Sequence, residues 1–86
     1  MRILVIEDDQ KIARFLEKGL TQSGYAVDVC YDGDEGLVMA RSFSFDAAVF
    51  DRMLPGMDGL EIIRVMRHEG IQTPVLILSA KASVDD

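Results

Sequence analysis

The chain has 86 residues, 49% of them hydrophobic and 28% charged, which is the composition of one soluble globular domain and excludes a disordered tail or a disulfide scaffold. A net charge of -6 leaves no surface able to neutralise a phosphate backbone, so any contact with DNA is expected only through a domain outside these residues. The single cysteine, Cys30, forbids an internal disulfide, and no apolar run approaches the roughly 18 residues needed to span a bilayer, so the chain reads as cytoplasmic with no membrane contact.

Ile3-Leu4-Val5-Ile6 is a strand-length run without polar alternation, the pattern of a parallel strand buried on both faces, and it ends in Glu7-Asp8-Asp9. Ile12, Phe15, Leu16 and Leu20 then follow the spacing of one buried helical face, with Lys11, Arg14, Glu17 and Lys18 outside it. Asp8 or Asp9 can cap this helix, Asp9 being the better placed, and Gly24 follows where it would stop. Ala26-Val27-Asp28-Val29-Cys30 reads as a second strand, with Asp28 between valines marking an edge and Cys30 a small core residue.

Asp32 with Glu35, and Asp58 with Glu61, have the spacing in which a capping side chain accepts an orphan N–H while the glutamate reaches back. Two further helices are expected there. Between them lies the third strand, Ala47 to Phe50, which ends abruptly on Asp51 and is followed by the turn Leu54-Pro55-Gly56. The third helix is expected to bury Ile62, Ile63 and Met66, to display Arg64, Arg67 and His68, and to stop near Gly70. Pro74 then opens a fourth apolar strand, Val75 to Leu78, which the spacing treats as buried on both faces and which closes on Ser79.

Strands alternating with helices imply βαβ units, right-handed crossovers and a parallel sheet, in which ligands gather at the carboxyl ends of the strands. If strands one and three are neighbours, Glu7, Asp8 and Asp51 end about 5 Å apart and share one pocket. Asp51 has no capping role, because Asp58 already caps the next helix. Clustered carboxylates repel one another unless a cation joins them, and a set of hard oxygen donors suits Mg2+. Ser79 would bring a hydroxyl to the same edge, one strand further along.

The three strand ends LVIEDD, VFDRMLPGMDG and PVLILSAK together resemble the receiver domain of bacterial two-component response regulators, across the whole chain. The MLPGMDG wording is similar to the branch whose receivers precede a winged-helix DNA-binding domain. That resemblance implies an α/β fold with a flavodoxin-like, doubly wound parallel sheet of strand order 2-1-3-4-5. Residues 1–86 would supply four strands and three helices, without the fourth helix, fifth strand and fifth helix. It implies that Asp51 accepts a phosphoryl group from the phosphohistidine of a sensor histidine kinase and that Asp8 binds Mg2+ directly. Glu7 would act through water, the Met53 backbone carbonyl would complete the protein ligands, and Ser79 would turn toward the phosphoryl group.

The family's lysine follows the fifth strand, so Lys81 reads as a solvated loop charge instead. A bare fourth strand and a first helix covering its face alone point to a homodimer or swapped assembly, a partly unfolded species, or a longer parent protein. Three other classes fit less well or say less. Phosphoaspartate hydrolases like the haloacid dehalogenases place a D-x-D pattern at the first strand, where this chain has Glu7-Asp8-Asp9. A flavodoxin-like flavin binder wants a Ser/Thr/Gly-rich loop where Asp8-Asp9-Gln10-Lys11 would repel a phosphate. A receiver-like interaction module that no longer takes phosphate stays open.

Overall fold

Parallel pairing decides where the acids fall. The computed structural model describes residues 1–78, and the expected sites at Ser79 and Lys81 lie outside those residues. Within them, strands β1 (Arg2–Ile6), β2 (Ala26–Cys30), β3 (Ala47–Asp51) and β4 (Val75–Leu78) alternate with helices α1 (Gln10–Gln22), α2 (Gly33–Ser42) and α3 (Gly59–His68). The strands form one parallel sheet in the order β2-β1-β3-β4, the flavodoxin-like arrangement. β2 lies at an edge, as its Asp28 indicated, and β1 pairs with β3 in a register that sets Ile6 beside Phe50. The next residue of β1's chain is Glu7 and the next of β3 is Asp51, so both acids leave the sheet at one end.

Period-two alternation sends Leu4 and Ile6 to one face of β1, where they join Cys30, Leu37, Ala40, Ala48, Phe50, Ile62 and Met66 in the main core beneath α2 and α3. Ile3 and Val5 are buried as well, on the side that α1 covers with Ala13. Asp9 caps α1 by accepting the N–H groups of Lys11 and Ile12, Asp32 caps α2 through Glu35 N–H, and Asp58 caps α3 through Leu60 N–H. The reciprocal half of the two capping boxes differs from the expectation. Glu35 accepts from Tyr31 N–H, one residue before the cap, and Glu61 turns to Arg64 at 2.6 Å. An exposed arginine one turn along competes successfully for a carboxylate that has little to gain at the cap.

Two burial expectations are corrected. Of the stripe assigned to α1, Leu16 and Leu20 are half-buried, whereas Ile12 is exposed and Phe15 is 78% exposed. The buried residue is Ala13, whose small side chain lets the helix sit close to the sheet and turns Phe15 away from it. Likewise β4 is not covered on both faces. Leu76 is 62% exposed, and among the described residues β4 pairs only with β3.

At the opposite end of the sheet, the Arg2 guanidinium lies 4.7 Å from the Phe43 ring centroid and 5.2 Å from that of Phe45, while its Nε donates to Asp28 at 2.7 Å. One side chain therefore joins β1, β2 and the connection after α2. The exposed ion pair contributes at most about 1 kcal/mol and the ring contacts about as much again. Arg2→Ala is expected to cost about 1–2 kcal/mol, with Arg2→Lys recovering less than half, because an ammonium lacks the planar face that stacks. Urea midpoints of wild type and the two variants check this; an Arg2→Lys midpoint equal to that of wild type would show that charge alone matters.

Candidate functional site

The neighbouring tips of β1 and β3 bring Glu7, Asp8 and Asp51 together, with carboxylate oxygens that all lie within 4.8 Å of one another. Their surroundings differ. Glu7 is 4% exposed and Asp51 8% exposed, whereas Asp8 faces solvent. Among the described residues the ion pairs are Arg2–Asp28, Arg41–Glu69 and Arg64–Glu61, so no Lys or Arg neutralises this cluster.

Glu7 Oε2 accepts the Asp9 N–H at 3.0 Å, and Asp51 Oδ1 accepts the Met53 N–H at 3.1 Å. These bonds orient the two carboxyls but bring no cationic group to the cluster. Burial, reinforced by the adjacent Asp51 and Asp8 carboxylates, pushes the Glu7 carboxyl up from 4.5 to about 7, against the opposing pull of the Asp9 N–H. A buried acid held this far up calls for either a proton or a cation. The donors are all hard oxygens, which fit Mg2+; the nearest thiol, Cys30, is buried in the core and pushed up to about 11, first by that burial and then by Glu35, Asp32 and Asp28.

Of the residues expected at the site, Met53 sits in the loop after β3, its side chain largely exposed and its N–H bonded to Asp51. Arg52 is exposed beside it, and its N–H continues the β3–β4 ladder to Leu78 O at 3.0 Å. His68 is exposed at the end of α3, away from the cluster's two strands. Sequence reasoning missed Gly59. Its N–H donates to Arg52 O at 2.9 Å, and a Cβ there would stand 2.5 Å from Asp51 O, so only glycine lets α3 begin this close to the acid. A glycine directly after a capping aspartate, where helix propensity disfavours it, was the available signal.

The sequence profile of the response regulator receiver domain matches residues 3–86. The chain belongs to that family. This receiver is 46% identical over 84 residues to the response regulator ArlR of Staphylococcus haemolyticus, with 98% of this chain and 38% of that protein covered. It is 44% identical over 85 residues to the transcriptional regulatory protein PcoR of Escherichia coli, covering 99% of this chain and 38% of PcoR. Among solved structures it superposes on the response regulator TrrA of Thermotoga maritima, solved in complex with Mg2+-BeF, with a TM-score of 0.88 and 31% identity over 94% of this chain and 70% of that one. The receiver thus spans 38% of the length of these curated relatives. Among the described residues, no helix is long and apolar enough to cross a membrane.

Proposed function

We propose that this receiver is a phosphorylation switch in which Asp51 takes a phosphoryl group from a sensor histidine kinase. The observation that carries the reading is the trio of carboxylates from Glu7, Asp8 and Asp51, within 4.8 Å of one another at the joined tips of β1 and β3. Asp8 is proposed as the direct Mg2+ ligand together with Asp51, Glu7 acts through water, and the Met53 carbonyl completes the protein's ligands. Bound there, Mg2+ would neutralise charge on the transferring oxygens.

The chain's own part is nucleophilic. The Met53 N–H holds Asp51 Oδ1 and so fixes the plane of the attacking carboxylate. A carboxylate oxygen forms the new O–P bond while the P–N bond of the donor phosphohistidine breaks and its electron pair stays on the imidazole nitrogen. Ser79 is proposed to read the product by hydrogen-bonding a phosphoryl oxygen. Residues 1–86 are proposed to form the first four strands and three helices of the domain, in a cytoplasmic parent whose DNA-binding output would follow them; PcoR's role as a transcriptional regulator supports that output.

Incubation of the complete domain with acetyl phosphate and Mg2+, read by intact mass, tests the assignment. Wild type is expected to gain one phosphoryl group and Asp51→Asn none, while Ser79→Ala accepts phosphate but loses the conformational response. Phosphate surviving in Asp51→Asn would refute the role of Asp51.

The exposed Leu76 on β4 favours a second property of the isolated chain. An apolar strand edge pairs readily with another chain, so we propose a homodimer or swapped assembly through β4. Light scattering should show a mass that rises with concentration; a concentration-independent monomer that unfolds cooperatively would rule this out.

A further inference from the structure

The loop between β3 and α3, residues 52–58, is held at two points. Gly59 N–H closes its base on Arg52 O at 2.9 Å, and Gly33 N–H, from the first turn of α2, grips its crown at Pro55 O at 3.0 Å. Gly33 is buried, and a Cβ built on it would stand 1.9 Å from Met57 O, 2.7 Å from Met57 C and 2.9 Å from Met57 N. All three atoms are backbone, so no rotamer can relieve the clash. The loop answers with a glycine of its own: Gly56 adopts φ +78, and a Cβ there would meet Asp34 Oδ2 at 2.4 Å. The first turn of α2 and the crown of the loop therefore meet glycine to backbone at Gly33 and glycine to the Asp34 side chain at Gly56.

Other helical glycines show what is particular about Gly33. Gly19, in α1, has nothing within 4 Å of a built Cβ. Gly36 is as crowded as Gly33, but its nearest atom is Ile6 Cδ1 at 2.2 Å, a side-chain tip in the core rather than the loop.

We infer that Gly33 is a positioning residue for the acidic site: its N–H and its missing Cβ set where the β3–α3 loop lies, and so where the Met53 main chain stands relative to Asp51 and Glu7. The inference rests on the reading in which the Met53 carbonyl is a cation ligand. Met53 is two residues from the gripped Pro55 and is itself bonded to the Asp51 carboxylate, so the loop has little length in which to absorb a displacement. Relieving a 1.9 Å approach to the 3.0 Å that real Cβ atoms keep moves the loop crown by about 1 Å. Mg2+ demands near-ideal octahedral geometry at about 2.0–2.1 Å, and a carbonyl displaced on that scale no longer serves it.

The test is a Mg2+ titration without any phosphodonor, on wild type, Gly33→Ala and Gly36→Ala, followed by the backbone amide shifts of residues 7–9 and 50–53. Wild type is expected to saturate. Gly36→Ala, which strains the core against Ile6, is expected to lose stability yet keep its Mg2+ midpoint. Gly33→Ala is expected to need at least about tenfold more Mg2+, the usual effect of disturbing groups that orient metal ligands, while its β1 and β2 amides keep their dispersion. Equal midpoints in Gly33→Ala and wild type overturn the inference and leave the metal reading intact; a wild type that does not saturate overturns both.

If Gly33→Ala does not fold, wild type alone decides through hydrogen exchange. Coupling is reciprocal, so fixing Met53 with Mg2+ must protect the Gly33 N–H with the midpoint of the Met53 shift. The Gly36 N–H, bonded within α2 to Asp32 O at 3.0 Å, should not respond. Gly33 exchange that is indifferent to Mg2+ overturns the inference.

Discussion

Raising the pH from about 4.5 to about 7 is expected to cost the metal-free chain stability through Glu7, and saturating Mg2+ to abolish that cost. The Glu7 carboxyl rises from 4.5 to about 7 on folding, chiefly through burial and then through Asp51. Between those values the folded chain binds a proton that the unfolded chain has released. The contribution is therefore fully present below about 4.5 and lost as the pH passes about 7. At 1.36 kcal/mol per unit the ceiling is on the order of 3 kcal/mol, a large share of the roughly 5–15 kcal/mol typical of a domain.

The Glu7 contribution is isolated as a difference. Urea unfolding of wild type and Glu7→Gln in chelator, across that range, should give a Gln advantage that grows from near zero to as much as about 3 kcal/mol. Mg2+ held by ionised carboxylates should close the gap, since a ligand that binds only the folded state stabilises it. A gap independent of pH would sink the account of Glu7, and one independent of Mg2+ would sink the account of the cation.

Phe50→Ala is expected to cost about 3–5 kcal/mol, and Phe15→Ala no more than about 0.5 kcal/mol. Phe50 is 0% exposed on β3, packed in the core beneath α2 and α3 immediately before the phosphoacceptor candidate. Removing its ring leaves a cavity that the surrounding Leu4, Ile6, Ile62 and Met66 fill only in part. Phe15, 78% exposed on α1, loses little by truncation in this chain. Thermal or urea midpoints separate the two. Comparable losses would show that the outer face of α1 is covered in solution, by a second copy or by chain beyond Leu78, and would restore the stripe that its spacing suggested.

Much was legible because it depends on neighbours along the chain. Apolar runs of strand length, three aspartates one turn ahead of helical spacing, and the alternation of the two kinds of element require only local chemistry, and they led to the parallel sheet, the caps at Asp9, Asp32 and Asp58, and the edge position of β2. The acidic site was legible for the same reason: in a parallel sheet every strand end points the same way, so acids that end adjacent strands meet. What spacing cannot report is which neighbour covers a face. Phe15 and Leu16 satisfy the same helical pattern, and only the close seat that Ala13 allows decides that one is exposed and the other half-buried. Val75 to Leu78 reads like Ile3 to Ile6, yet among the described residues β1 has strands on both sides and β4 on one. Glu7 and Asp8 are adjacent letters, and the sheet buries one and leaves the other in water, so burial pushes up the Glu7 carboxyl. Gly33 and Met57 are far apart in the chain, and only folding brings a backbone oxygen to within 1.9 Å of where a side chain would begin.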